Sequence, residues 1–170
     1  MILLYHGSNC EVGKPNPAKG RRGPDFAQGF YLTPDMQSAR GMARNAYARE
    51  GVGRKTINVY EFDEDAARLS GLSIKRMSAM DMDWISFVIA NRMGEYNAPD
   101  HNLDKLYDVV IGYIADDKIR SLIAAYSRGY TTAELILQKM IEQPWRVLQY
   151  SFHTQRAVKF LRLKEVWCEQ

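Results

Sequence analysis

The sequence predicts a single α+β domain spanning residues 1–170, and three observations carry that reading. Strand-like runs such as TINVYEF at 56–62 and DVVIGYI at 108–114 stand beside helical periodicities such as Trp84, Phe87 and Val88. The two kinds of segment are mixed without the strict strand–helix alternation of a doubly wound sheet. At 170 residues, 46% of them hydrophobic, the chain can bury one well-packed core and is short for two.

In chain order, residues 2–5 form a short apolar strand, and the stretch GSNCEVGKPNPAKGRRGPDFAQ after His6 is too rich in Gly and Pro for regular structure. Compact domains usually keep a loop of that length for function. GFYLT at 29–33 resumes as a strand. Thr33 then caps a helix with Pro34 at its first position, Asp35 in its first turn and Met36, Ala39, Met42, Ala43 and Ala46 along one face. A capping box, Ser78 to Asp81, opens the helix that carries Trp84 and Phe87. Ile119, Leu122, Ile123 and Tyr126 mark a helix ending at Gly129, and a second capping box, Thr131 to Glu134, starts another. VLQYSFH at 147–153 alternates as a strand, with Gln149, Ser151 and His153 on one face and Leu148, Tyr150 and Phe152 on the other. Thr154 reads as a helix cap that carries Gln155 out of that strand.

Charge and composition bound the function. A net charge of +3, from interspersed basic and acidic residues, suits anionic ligands without demanding nucleic acid. Cys10 and Cys168 lie at opposite ends without CxxC spacing, and His6, His101 and His153 have no metal-ligand spacing, so no metal is expected. There is no GxGxxG after a strand, no P-loop and no GxSxG elbow. The N-terminus lacks the basic and long apolar regions of a signal peptide, and no window has the apolar length of a membrane span. The reading is a cytoplasmic protein with no membrane partner.

Five motifs in fixed order carry the strongest signal: LYHGS at 4–8, GR at 20–21, DFAQGFYLT at 25–33, DVVIGYIADD at 108–117 and QYSFHT at 149–154. Together they resemble the ADP-ribosyltransferase superfamily, in the branch with a His-Tyr-Glu triad, and more closely an uncharacterised bacterial family related to it. The resemblance implies two split antiparallel sheets with a helical insertion, NAD as substrate and no metal. It implies a mono-ADP-ribosyltransferase that breaks the bond from nicotinamide to ribose and passes ADP-ribose to a protein or nucleic-acid acceptor. It further suggests a toxin or phage-defence effector, with an antitoxin protein as a partner. By the same resemblance the catalytic residues are His6, on a ribose hydroxyl; Tyr31, against the nicotinamide ring; and Gln149, on the nicotinamide-side ribose. Gly7 and Gly29 would admit the ligand, Ser8 completes the first motif, Arg21 meets the pyrophosphate, and Met42 stands where relatives have a second aromatic. Asp116 and Asp117 read as a strand exit and helix first turn and are kept out of the site.

Three departures matter. The third triad position holds Gln149 and no carboxylate, Ala27 replaces the glycine of DFG and is expected to stiffen the turn, and Met42 is a weaker wall than an aromatic ring. Gln149 and Met42 favour one alternative to a transferase, a catalytically silent module that binds NAD or ADP-ribose; the other, a basic nucleic-acid-binding domain, rests on KGRR at 19–22 and GRK at 53–55. The segment 64–100 is a candidate for target recognition.

Overall fold

A computed structural model describes residues 1–20, 24–115, 118–144 and 146–169, and it is α+β. Strands β1 (Ile2–Ser8), β3 (Lys55–Phe62) and β7 (Leu161–Glu169) form an antiparallel sheet in the order β1-β3-β7. Strands β2 (Phe30–Leu32), β4 (Ile74–Arg76), β5 (Val109–Tyr113) and β6 (Leu148–Phe152) form the second sheet, in the order β2-β6-β5-β4. Its β2–β6 and β6–β5 pairs are antiparallel. The expectation of two wholly antiparallel sheets is corrected at β4, which runs parallel to β5. A parallel neighbour needs a long crossover, and the chain from β4 to β5 makes it through α3 (Met82–Met93). The segment 64–100 is accordingly a mixture of α2 (Glu64–Leu69), β4 and α3, where a purely helical insertion was expected.

The sheets pack face to face. Leu4, Tyr60, Phe62 and Leu161 from the first sheet meet Phe30, Leu32, Val109, Ile111, Tyr150 and Phe152 from the second in one buried cluster. Helix α1 (Met36–Glu50) covers the outer face of the first sheet, with Ala39 and Ala43 against Ile57 and Val59. Helices α3, α4 (Ile119–Tyr126) and α5 (Ala133–Ile141) cover the outer face of the second, burying Trp84, Phe87, Ile119, Ile136 and Met140 with Val110. Strand alternation follows from this layering: each strand of the second sheet sends alternate side chains inward to the sheet interface and outward to the helices.

Three helix starts differ from the sequence reading for one reason. Asp35, Asp81 and Thr132 are the caps, each accepting a backbone N–H three residues on, so the starts fall later than the Thr33, Ser78 and Thr131 positions. The Thr33 hydroxyl donates to the Leu148 carbonyl at 2.8 Å and accepts the Asp35 N–H at 3.1 Å, ahead of the first turn, while Asp35 accepts the Ser38 N–H at 2.6 Å. The short helix α6 (Gln155–Val158) begins at a Thr154 cap as expected.

The packing of α1 on β1 generates a pair of opposite outcomes. A Cβ at Gly7 would lie 2.0 Å from the Ala39 carbonyl oxygen and 2.6 Å from the Ala43 nitrogen, whereas one at Gly41 would meet nothing within 4 Å. Gly7→Ala should cost about 1–3 kcal/mol or more of unfolding free energy in urea melts, since backbone must move. Gly41→Ala, in an open helical position, should gain about 0.5–1 kcal/mol.

Candidate active site

The site begins where the two sheets touch edge to edge. Tyr5 of β1 and Thr33 form an antiparallel bridge, Tyr5 N–H to the Thr33 carbonyl at 2.8 Å and Thr33 N–H to the Tyr5 carbonyl at 3.0 Å. Because Tyr5 spends both backbone groups on this edge, the alternation of an antiparallel strand aims the N–H and C=O of Gly7 along the same edge, beyond the bridge. His6 points to the opposite edge with its backbone and to the sheet interface with its ring, 4.3 Å from the Phe30 ring centroid. Its Nδ1 donates to the Tyr31 carbonyl at 2.7 Å, since a carbonyl can only accept. Burial lowers the His6 pKa against the smaller opposing effect of that bond, so the ring is neutral and its Nε2 is an acceptor.

Tyr31 lies on the other face of β2, toward the helices. Its hydroxyl donates to the Ala27 carbonyl at 2.6 Å and accepts the Phe26 N–H at 3.2 Å. Burial, with the Asp25 charge adding to it, raises the phenol pKa well above its ordinary value, so the hydroxyl keeps its proton. The turn that receives it is strained: Ala27 has φ 68°, a conformation that costs a non-glycine residue about 1–2 kcal/mol.

Gln149 shares that outward face and is 5% exposed. Its side-chain nitrogen donates to Asp25 Oδ2 at 2.9 Å, which also accepts the Ala115 N–H at 2.9 Å. Asp25 Oδ1 receives Arg92 Nε at 2.7 Å and Nη2 at 2.6 Å. Arg92 comes from the last turn of α3, so one carboxylate ties the loop before β2 to α3, the exit of β5 and β6. Such a group must be saturated to be tolerated at 4% exposure, and Asp25 is.

Ser151 of β6 and His153, just past its end, extend the buried row. His153 Nδ1 donates to the Gln28 carbonyl at 3.0 Å, and its Nε2 lies 2.8 Å from Ser151 Oγ, whose one proton faces both this nitrogen and the Val110 carbonyl at 3.0 Å. Its ring stands edge-on to Tyr31, centroids 6.3 Å apart. It also explains Gly29, where a Cβ would lie 2.8 Å from His153 Nδ1 and 2.9 Å from the Phe152 carbonyl oxygen. Packing within the chain by itself requires glycine at Gly29, and likewise at Gly7, whose bare Cα is covered by α1.

The structure thus brings His6 to the backbone of Tyr31, sets Tyr31 and Gln149 on one face of the second sheet, and puts Met42 beside Gly7, its Cβ 2.9 Å from where a Gly7 Cβ would be. It does not turn the His6 ring to the face that holds Tyr31 and Gln149. Ser8 is turned toward Cys10, Oγ to Sγ 3.8 Å. Arg21, Asp116 and Asp117 lie outside the described residues. Gln155, carried out of the strand by the Thr154 cap, is exposed and donates to Asn16 Oδ1 at 3.0 Å, away from the row. Asp25 and Arg92 are the site residues that sequence reasoning missed. Asp25 stood inside a quoted motif, but Arg92 at a helix C-terminus reads as an ordinary dipole partner.

His153 generates a pH prediction. Burial pushes its pKa from 6.5 down to about 4, so the folded state binds fewer protons than the unfolded one. That contribution to stability is present above the unfolded value and is lost as pH falls from 6.5 toward about 4, with His6 shifted in the same direction. Unfolding free energy should drop by on the order of 3 kcal/mol across this window. His153→Asn, weaker at neutral pH, should show a flatter profile there. Equal slopes in the two proteins would assign the proton uptake to another group.

Among the described residues no cluster of three or more His, Cys, Asp or Glu could hold a metal ion, and no helix is long and apolar enough to cross a membrane. No curated protein and no solved structure matches the chain. A family model does: the one described as a protein of unknown function, DUF3990, matches residues 2–163, nearly the whole length, and the chain belongs to that family.

Proposed function

We propose that the chain is an NAD-dependent mono-ADP-ribosyltransferase whose site lies at the edge-to-edge joint of the two sheets. The observation that carries the reading is the polar edge of β1 past the Tyr5–Thr33 bridge. There Gly7 offers one backbone N–H and one C=O, the complement of a carboxamide, which has one acceptor and donors of its own. Beside it, neutral His6 has spent Nδ1–H on Tyr31 and keeps Nε2 to accept from a ribose hydroxyl. Tyr31, its hydroxyl fixed by the 26–27 turn, supplies an aromatic wall on a rigid strand, and Met42 packs beside Gly7 from α1.

In the reaction the bond from ribose C1′ to the nicotinamide nitrogen breaks, its electron pair leaves with neutral nicotinamide, and an acceptor nucleophile takes C1′. Positive charge gathers on the ribose in between, so a fixed acceptor beside its hydroxyls lowers the barrier. Gln149 is the residue assigned to that place. A toxin or defence role, an antitoxin and the nature of the acceptor extend this reading by analogy and rest on the motifs alone. A second reading, a silent NAD- or ADP-ribose-binding module, is favoured by one observation: the buried third position carries an amide and no charge.

NAD should raise the melting temperature of the purified protein, and His6→Ala and Tyr31→Ala should each remove that shift. Gln149→Ala should leave the shift nearly intact and slow nicotinamide release by about 10² to 10³. Binding without nicotinamide release selects the silent module, and an unchanged shift in both the His6 and Tyr31 variants rejects this cleft. Labelled NAD with a bacterial lysate, followed by protease or nuclease digestion, identifies the acceptor class.

A further inference from the structure

We propose that Asp25 is a positioning residue: it holds the Gln149 amide with its nitrogen inward, so that the amide oxygen is the atom left for a ligand. The identity of that ligand as the ribose of NAD rests on the function proposed above; the orientation rests on the hydrogen bonds alone.

Both oxygens of Asp25 are committed to donors. Oδ1 receives Nε and Nη2 of Arg92 at 2.7 and 2.6 Å, and Oδ2 receives the Ala115 N–H at 2.9 Å. Neither an arginine nor a backbone N–H can accept, so the carboxylate acts purely as an acceptor. The Gln149 atom 2.9 Å from Oδ2 is therefore the NH₂ group, because a flipped amide would set oxygen against a carboxylate oxygen where both residues are 5% exposed or less. The three fixed donors come from α3 and the β5 exit, so Asp25 cannot follow Gln149 if the amide turns.

The chemical consequence concerns the third catalytic position. An amide could greet a ribose hydroxyl with either end, and only the oxygen does what a carboxylate oxygen does. With Asp25 behind the nitrogen, Gln149 offers an acceptor alone. The negative charge on the N–H side also polarises the amide and strengthens its oxygen as an acceptor. The site thus keeps an anion's hydrogen-bonding pattern with its charge one residue further back.

Two measurements test this. Gln149→Glu sets a second carboxyl against Asp25, with Arg92 and Tyr31 the other titratable groups nearby. Two carboxyls at this distance share a proton, so one pKa rises. A group with a raised folded pKa contributes stability at low pH and loses it as pH rises through that value. The melting-temperature deficit of Gln149→Glu against wild type should be small near pH 5 and grow toward about pH 8. A deficit that does not change with pH overturns the contact between position 149 and Asp25 on which the orientation rests. The second measurement is a double-mutant cycle on nicotinamide release. Asp25→Asn should lower kcat about tenfold or more with KM for NAD within about twofold, and should lower it no further when added to Gln149→Ala. An equal further loss in the Gln149→Ala background overturns the positioning role and leaves Asp25 a structural support. If Asp25→Asn does not fold, with Arg92 stranded, the pH dependence of Gln149→Glu decides. A wild-type protein that neither binds NAD nor releases nicotinamide removes the transferase reading, and the pH measurement still confirms or overturns the contact with Asp25 that orients the amide.

Discussion

The bridge between Tyr5 and Thr33 is the joint on which the rest of the site depends. Thr33 gives its backbone to β1 in one sheet and its hydroxyl to Leu148 of β6 in the other, and it is fully buried while doing so. A single residue therefore fixes the edge of the first sheet to the plane of the second. Among the described residues the bridge stops after one residue pair, and beyond it the edge of β1 continues with the backbone of Gly7. The close seat of α1 on Gly7 keeps that edge from twisting away.

Around the joint the chain buries polar groups in a row along the helix-facing side of the second sheet: Asp25, Gln149, Ser151 and His153. Each member costs desolvation, and each is offset by partners that its own geometry demands. Arg92 with Asp25 is a buried ion pair, which is weak grounds for stability and stronger grounds for a unique arrangement. What the pair specifies here is the course of residues 24–28, since Tyr31 and His153 both close hydrogen bonds onto that loop's backbone.

Much of this was legible in the sequence. Alternation predicted that Gln149, Ser151 and His153 share a face, and Thr154 announced the cap that takes Gln155 away. The aromatic pair was also separable by alternation: Phe30 is core and Tyr31 faces the polar row. Elements that pack through charged or short segments were not legible. Strand β7 carries charges at Arg162, Lys164, Glu165 and Glu169 because it is an edge strand, and β4 is three residues long. The partner of Asp25 was hidden for a different reason. Sixty-seven residues separate it from Arg92, and nothing local to either marks the other. The glycines were ambiguous for another reason, since a bare Cα signals a close approach without saying whether a ligand or the chain itself makes it.

The Ala115 N–H bears on how the molecule opens. It lies past the end of β5, outside any strand ladder, yet it is held by Asp25 in a site closed to water. Ordinary loop amides exchange with solvent by local fraying; this one is released when the Asp25 carboxylate leaves it, and that carboxylate is also held from α3 and β6. The carboxylate thereby merges three segments distant in sequence into one cooperative unit, so hydrogen exchange at a loop position reports the collective opening of the site.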